Sequence, residues 1–148
     1  MLLTGSYHRS LDEKLRIAIP KGLRQAIQDD AAGIVYVAPG TDGSLALYPE
    51  AAFGRLANQI AEASPTESDV RAFARLFYAQ AQRVQTDRQG RIRIPAELAQ
   101  LANIQREVVL LGVGDHMELW DEQSWSIYRD EKQAHYDEIA EKALKPTK

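Results

Sequence analysis

The chain has 148 residues, 45 % of them hydrophobic and 26 % charged, with a formal charge of −3 and no cysteine. That size suits one domain, or two halves packed on a shared core. The missing cysteines exclude disulfides, thiolate nucleophiles and thiolate metal sites, and with no signal-like apolar start and no stretch approaching a membrane span, a soluble cytoplasmic protein is expected.

In chain order, Leu15, Ile17 and Ile19 alternate with Arg16 and Ala18. Period-two alternation predicts a half-buried strand with the isoleucines inward and Arg16 outward. Pro20 then opens a short helix that carries Leu23 and Ile27. Ile34-Val35-Tyr36-Val37 reads as the next strand. The turn formers Pro39-Gly40-Thr41-Asp42-Gly43 predict a hairpin returning through residues 45–48, and a helix begins near Pro49. Ser64-Pro65-Thr66-Glu67 reads as a capping box. Val70, Phe73, Ala74, Phe77 and Ala81 then share one face of a further helix. That helix is expected to pack on its own domain or on a neighbouring subunit, with core burial favoured.

From residue 87 the series begins again. Asp12, Arg16, Ile17, Ile19 and Pro20 recur as Asp87, Arg91, Ile92, Ile94 and Pro95, each 75 positions on. Gly90, Ile92 and Ile94 alternate with Arg91 and Arg93, so both arginines face outward. Leu98 and Leu101 follow on a short helix, and Asn103 is a plausible stop for it. Val108-Val109-Leu110-Leu111 predicts a strand, Gly112-Val113-Gly114-Asp115 a turn, and residues 117–120 the return, with a helix from near Asp121. Leu47 and Phe53 match Leu119 and Trp125 at a separation of 72. The repeat is therefore a whole small fold with a three-residue difference in its middle, and it implies pseudo-two-fold symmetry. Tyr48, Phe53, Trp120 and Trp125 fill matched positions and are expected to be core or subunit contacts. The tail at 132–148 is expected to be an exposed, fraying helix with Lys145-Pro146-Thr147-Lys148 disordered.

The acidic total conceals an uneven distribution. Seven arginines lie between residues 71 and 106 against Asp87 and Glu97, and acids dominate from 107 onward. Local potential, not net charge, governs association with phosphates. A guanidinium on a solvent-facing strand can fork onto phosphate, or onto O6 and N7 of guanine. Arg16 with Lys14, His8 and Arg9 is expected to form one DNA-binding patch, and Arg91 with Arg83, Arg88 and Arg93 another. Asp12 and Asp87 read as structural, each capping a turn and pairing with its arginine. The copies are unequal: Ala18 stands where Arg93 stands, and Lys14 where Gln89 stands. His116-Met117-Glu118 fits half of a zinc deaminase signature whose cysteines are absent, so Asp115-His116 is assigned to a hairpin turn. Gly112 and Gly114 make no dinucleotide fingerprint. No enzyme activity, metal, cofactor or small-molecule substrate is expected.

The Asp-x-x-x-Arg, strand, Pro-helix unit resembles the AbrB-type DNA-binding motif. Its doubling, with the stretch from Val109 through Gly112-Val113-Gly114-Asp115-His116 to Trp120, resembles the bacterial MraZ family from about residue 1 to about residue 128. The resemblance implies an α/β fold: a pseudo-two-fold swapped-hairpin, double-psi-like β-barrel built from two βαββ-type repeats, with flanking helices. It divides the chain into a first AbrB-like motif at 5–53, a helical linker at 54–79, a second motif at 80–125 and a C-terminal helix and tail at 126–148. It implies a sequence-specific transcriptional regulator, a repressor of a division and cell-wall gene cluster. Such a protein binds promoter direct repeats in double-stranded DNA as a ring-like homo-oligomer associated with the nucleoid. Arg16 and Arg91 match the family's motif arginines, Asp12 and Asp87 its motif acids, and Lys14 its basic residue before the first arginine; the first copy is favoured as the base reader. Leu15 stands where the family usually has glycine, whereas Gly90 is retained. Either the first turn differs in shape, or its glycine is not needed for its angles. The alternative is an AbrB-type, antitoxin-like protein that binds a partner protein and DNA; two fused copies with a helical linker favour the regulator.

Overall fold

Alternation along the chain becomes strands whose partners lie far away in sequence. The computed structural model describes residues 2–31 and 33–146, so Thr147 and Lys148 of the expected disordered tail lie outside the described residues. The first half runs β1 (Ser6–Ser10), β2 (Arg16–Ala18), α1 (Lys21–Ala31), β3 (Ile34–Pro39), β4 (Leu45–Pro49) and α2 (Glu50–Glu62). After α3 (Ser68–Gln80) the second half repeats the order: β5 (Gln82–Gln85), β6 (Arg91–Arg93), α4 (Ala96–Leu101), β7 (Glu107–Gly112), β8 (Met117–Asp121) and α5 (Glu122–Gln133), followed by α6 (Tyr136–Ala143).

Pro20 and Pro95 sit at the two helix entries, and their carbonyls accept the N–H of Arg24 (2.8 Å) and of Ala99 (3.0 Å). A proline here loses no hydrogen bond, because the first helical N–H groups have no partner within the helix. The second helix stops at Asn103, whose φ is 53°. Asn103 N–H reaches Gln100 O at 3.0 Å and Ile104 N–H reaches Ala99 O at 2.9 Å, the paired bonds that satisfy a helix's last carbonyls.

Six strands form one antiparallel sheet in the order β1-β7-β8-β4-β3-β5, and β2 pairs with β6 in a separate two-stranded ribbon. The strand that leads each half is hydrogen-bonded into the other half: β1 lies on β7, and β5 lies on β3. Exchanging the halves turns the strand order into its own reverse. Two repeat-equivalent pairs face each other, Ile17 opposite Ile92 in the ribbon and Ala46 opposite Glu118 in the sheet. A pseudo-two-fold axis therefore passes through both. No closed barrel is formed among the described residues, because β1 and β5 remain sheet edges.

The core fills the space between one sheet face and the layer made by the ribbon, α1 and α4. Ile17, Ile19, Ile92 and Ile94 meet Val35, Val37, Leu45, Leu47, Val108, Leu110, Met117 and Leu119 there, all of them buried. Each such side chain contributes roughly 1.5–3 kcal/mol. On the opposite sheet face Val109, Leu111 and Trp120 pack with Trp125 and Tyr128 of α5. Tyr36 stacks on Phe53 of α2 with ring centroids 4.1 Å apart.

Three expectations are corrected. The capping box does not form: Ser64 Oγ turns to Thr66 Oγ1 at 2.8 Å, residues 64–67 make a turn, and α3 starts only at Ser68. The apolar face of α3 is only partly used: Phe77 is buried, while Phe73 remains 50 % exposed. The C-terminal stretch holds two helices, because His135 at φ −120° separates α5 from α6. Among the described residues no helix is long and apolar enough to cross a membrane.

Candidate nucleic-acid interface

Two short turns flank the ribbon, and one aspartate organises each. Asp12 Oδ1 accepts the backbone N–H groups of Lys14 and Arg16, both at 2.9 Å, and Oδ2 accepts Arg16 Nε at 2.6 Å. Asp87 repeats the pattern with Gln89 N–H, Arg91 N–H and Arg91 Nε, each at 2.9 Å. Backbone bonds close both turns: Leu15 N–H to Asp12 O and Gly90 N–H to Asp87 O, each 3.0 Å. A three-residue connection of this kind places its last residue in the left-handed region. Leu15 takes φ 60° and Gly90 φ 77°. The first turn thus keeps the shape of the second, and the leucine carries the strain.

The hydrogen bonds also set the electrostatics. Asp12 is held below the usual carboxylate range, first by the N–H of Arg16 and then by its side chain, the N–H of Lys14 and the guanidinium charge. Asp87 is lowered in the same way, first by the N–H of Arg91. Donors aimed at an ionised carboxylate favour its charged form. The motif acids thereby fix the Nε edge of each guanidinium; the Arg16 and Arg91 side chains are 32 % and 28 % exposed.

The ribbon joins what the sequence separates. Arg16 lies opposite Arg93, and Ala18 opposite Arg91, with Ile17 and Ile92 turned into the core between them. Arg16 of one expected patch and Arg91 and Arg93 of the other share one ribbon, because β2 and β6 are each other's partner. Arg91 Nη1 also comes within 4.0 Å of Asp12 Oδ2, and Arg93 Nε donates to Lys14 O at 2.9 Å. Lys14 and Arg88 are exposed on the two turns.

The edge strands divide the remaining candidates. His8 lies opposite Val109, on the sheet face that carries α5, with Nδ1 3.4 Å from Glu122 Oε2. Arg83 lies opposite Tyr36, whose ring packs on α2. Directly opposed residues share a face, so both leave the expected patches and stand on the side of the sheet away from the ribbon. Arg9 lies opposite Val108, on the ribbon side at the sheet edge; it donates to His8 O at 2.8 Å and lies 5.8 Å from the Tyr7 ring centroid. His116 is taken up by the second hairpin, bonded to Asp115 at 2.8 Å and stacked on Tyr48 at 4.7 Å.

One residue joins the surface that the sequence did not single out. Arg24 of α1 reaches across to the second turn, where Nη1 donates to Gln89 O at 3.3 Å. Its position one turn after Pro20 was visible. Its reach to residue 89 depends on the pairing of β2 with β6, which was not.

A family model described as "MraZ protein, putative antitoxin-like" matches the chain twice, over residues 2–76 and 77–146. A protein of Mesoplasma florum named "Transcriptional regulator MraZ" is 38 % identical over 141 residues, covering 95 % of this chain and 94 % of its own length. Proteins of the same name from Syntrophomonas wolfei and Heliobacterium modesticaldum are 38 % and 35 % identical, covering 95 % and 97 % of both chains.

Proposed function

The chain belongs to the MraZ family, and from that premise we propose that it is a sequence-specific DNA-binding transcriptional regulator, a repressor of a division and cell-wall gene cluster. The observation that carries the reading is the pairing of β2 with β6, which gathers Arg16, Arg91 and Arg93 on one outward ribbon between Lys14 and Arg88. A two-stranded ribbon fits the width of the major groove. Arg16 and Arg91, fixed through Nε by Asp12 and Asp87, offer their terminal nitrogens to phosphate or guanine.

The cross-paired halves are read as a swapped-hairpin unit, with motifs at 5–53 and 80–125, a linker at 54–79 and a tail at 126–148. One ribbon makes few contacts. A ring-like homo-oligomer would set several ribbons on promoter direct repeats, and such multivalency strengthens binding by about 10²–10⁴. The protein acts in the cytoplasm on the nucleoid, without catalysis or cofactor.

The test is a mobility shift on the DNA upstream of the chain's own gene, with size-exclusion chromatography beside it. Arg16→Ala is expected to lose the specific shift while the oligomer stays intact, and wild-type binding is expected to weaken steeply with salt. Equal wild-type affinity for repeat-bearing and scrambled duplexes would remove the reading. The family description also carries the word antitoxin. A second protein retained in stoichiometric amount through purification, and required for DNA affinity, would favour that alternative.

A further inference from the structure

Each turn presents a carbonyl at its tip that an arginine from the other half grips. Arg93 of β6 holds Lys14 O at 2.9 Å, and Arg24 of α1 holds Gln89 O at 3.3 Å. Lys14 and Gln89 are equivalent positions, but their donors are not. The repeat counterpart of Arg93 is Ala18, and that of Arg24 is Ala99. The molecule provides the same contact twice from unrelated places in the fold.

The cations sort in the same way. Arg16 and Arg91 are paired with Asp12 and Asp87. Among the described residues Lys14, Arg93, Arg88 and Arg24 have no carboxylate within salt-bridge distance. Lys14 and Arg93 stand at the Arg16 end of the ribbon, and Arg88 and Arg24 at the Arg91 end. The repeat counterpart of Arg88 is the exposed Glu13, so the second end with Arg24 is the more cationic of the two. A guanidinium has five N–H donors. The neutral Gln89 carbonyl engages one of those on Arg24 and leaves its charge uncompensated. Arg24 lies over Gly90: a Cβ there would meet its guanidinium and stand 2.6 Å from Cδ.

We propose that Arg24 is a further phosphate-contacting residue, an uncompensated guanidinium held on the second turn beside Arg88 and Arg91. This rests on the DNA-binding reading above. The test uses the full chain and fluorescence anisotropy with two duplexes, one carrying the upstream repeats and one scrambled, across a salt series, with thermal melts beside it. Arg24→Gln is expected to weaken binding to both duplexes by the same factor and to reduce the slope of log K against log salt by about one. Arg24→Lys keeps the charge and is expected to keep the slope. An unchanged slope in Arg24→Gln overturns the proposal, as does an equal slope loss in Arg24→Lys, which assigns Arg24 to holding the turn. A wild-type chain that binds neither duplex overturns the DNA-binding reading beneath it; a salt-dependent wild type with an unaltered Arg24→Gln overturns only the role of Arg24.

Discussion

At residues 12–16 the left-handed position is held by Leu15, half-buried against the core; at residues 87–91 it is held by Gly90, buried beneath Arg24. The carboxylate and backbone bonds around the two positions are the same. What differs is the neighbour on the helix of the other half: Arg24 of α1 lies over Gly90, and the repeat counterpart of Arg24 is the buried Ala99 of α4. A large turn residue goes with a small helix residue in one half, and the reverse holds in the other. The turn's shape therefore does not by itself require glycine. A left-handed non-glycine residue costs about 1–2 kcal/mol, and partial burial of a leucine offsets much of that. At Gly90 the space above the backbone decides.

The sharpest way to break this comparison is to give the second turn the residue of the first. Gly90→Leu is expected to destabilise by about 2–4 kcal/mol in urea unfolding, from left-handed strain plus overpacking against Arg24. The double variant Gly90→Leu/Arg24→Ala copies the first turn's arrangement and should recover the overpacking part. A double variant no more stable than Gly90→Leu alone would end the account. In the first turn, Leu15→Ala loses packing and keeps the strain, so a loss of about 1 kcal/mol is expected. Leu15→Gly loses the same packing but relieves the strain, and should lie closer to wild type. Glycine proving the worse of the two would show that φ at Leu15 carries no penalty.

Acid provides a gentler probe. Both motif aspartates are lowered from an ordinary value of 3.8, so the folded state favours their ionised form. Their contribution to stability is present above that value and is lost as pH falls through the lowered one. Asp12→Asn and Asp87→Asn should each remove part of the acid loss in melts taken from neutral pH downward, and by equal amounts, because the two carboxylates accept matching donors. Unequal changes would mean that the Arg91 Nη1 contact with Asp12 matters. The smallest expected effect on stability is from Ala18→Arg, at an exposed site and within about 0.5 kcal/mol of wild type. It should nevertheless steepen the salt dependence of DNA binding by about one contact.

The strands, hairpins and helix stops were legible because local rules produce them: alternation at Ile17 and Ile92, turn formers at Gly40 and Gly114, left-handed tolerance at Asn103. The motif acids were legible for the same reason, since Asp12 and Asp87 bond within their own turns. Strand partners across the two halves were not. The exchange of β1 onto β7 joins residues about a hundred positions apart, and no local pattern encodes it. That exchange sends His8 to the far side of the sheet, the pairing of β5 with β3 sends Arg83 there, and the pairing of β2 with β6 joins Arg16 to Arg93 and brings Arg24 to Gln89. At the expected capping box Ser64 Oγ bonds Thr66 Oγ1 instead, and the helix begins only at Ser68.

The reciprocal lodging of β1 and β5 also bears on what a broken chain would do. Were the backbone nicked between α2 and α3, each fragment would still hold a strand clasped inside the other. Separation would require unzipping the outer ladders, the ribbon and the sheet's middle seam together, so the pieces would persist as an obligate heterodimer. Neither piece, made by itself, would have a partner for its leading strand.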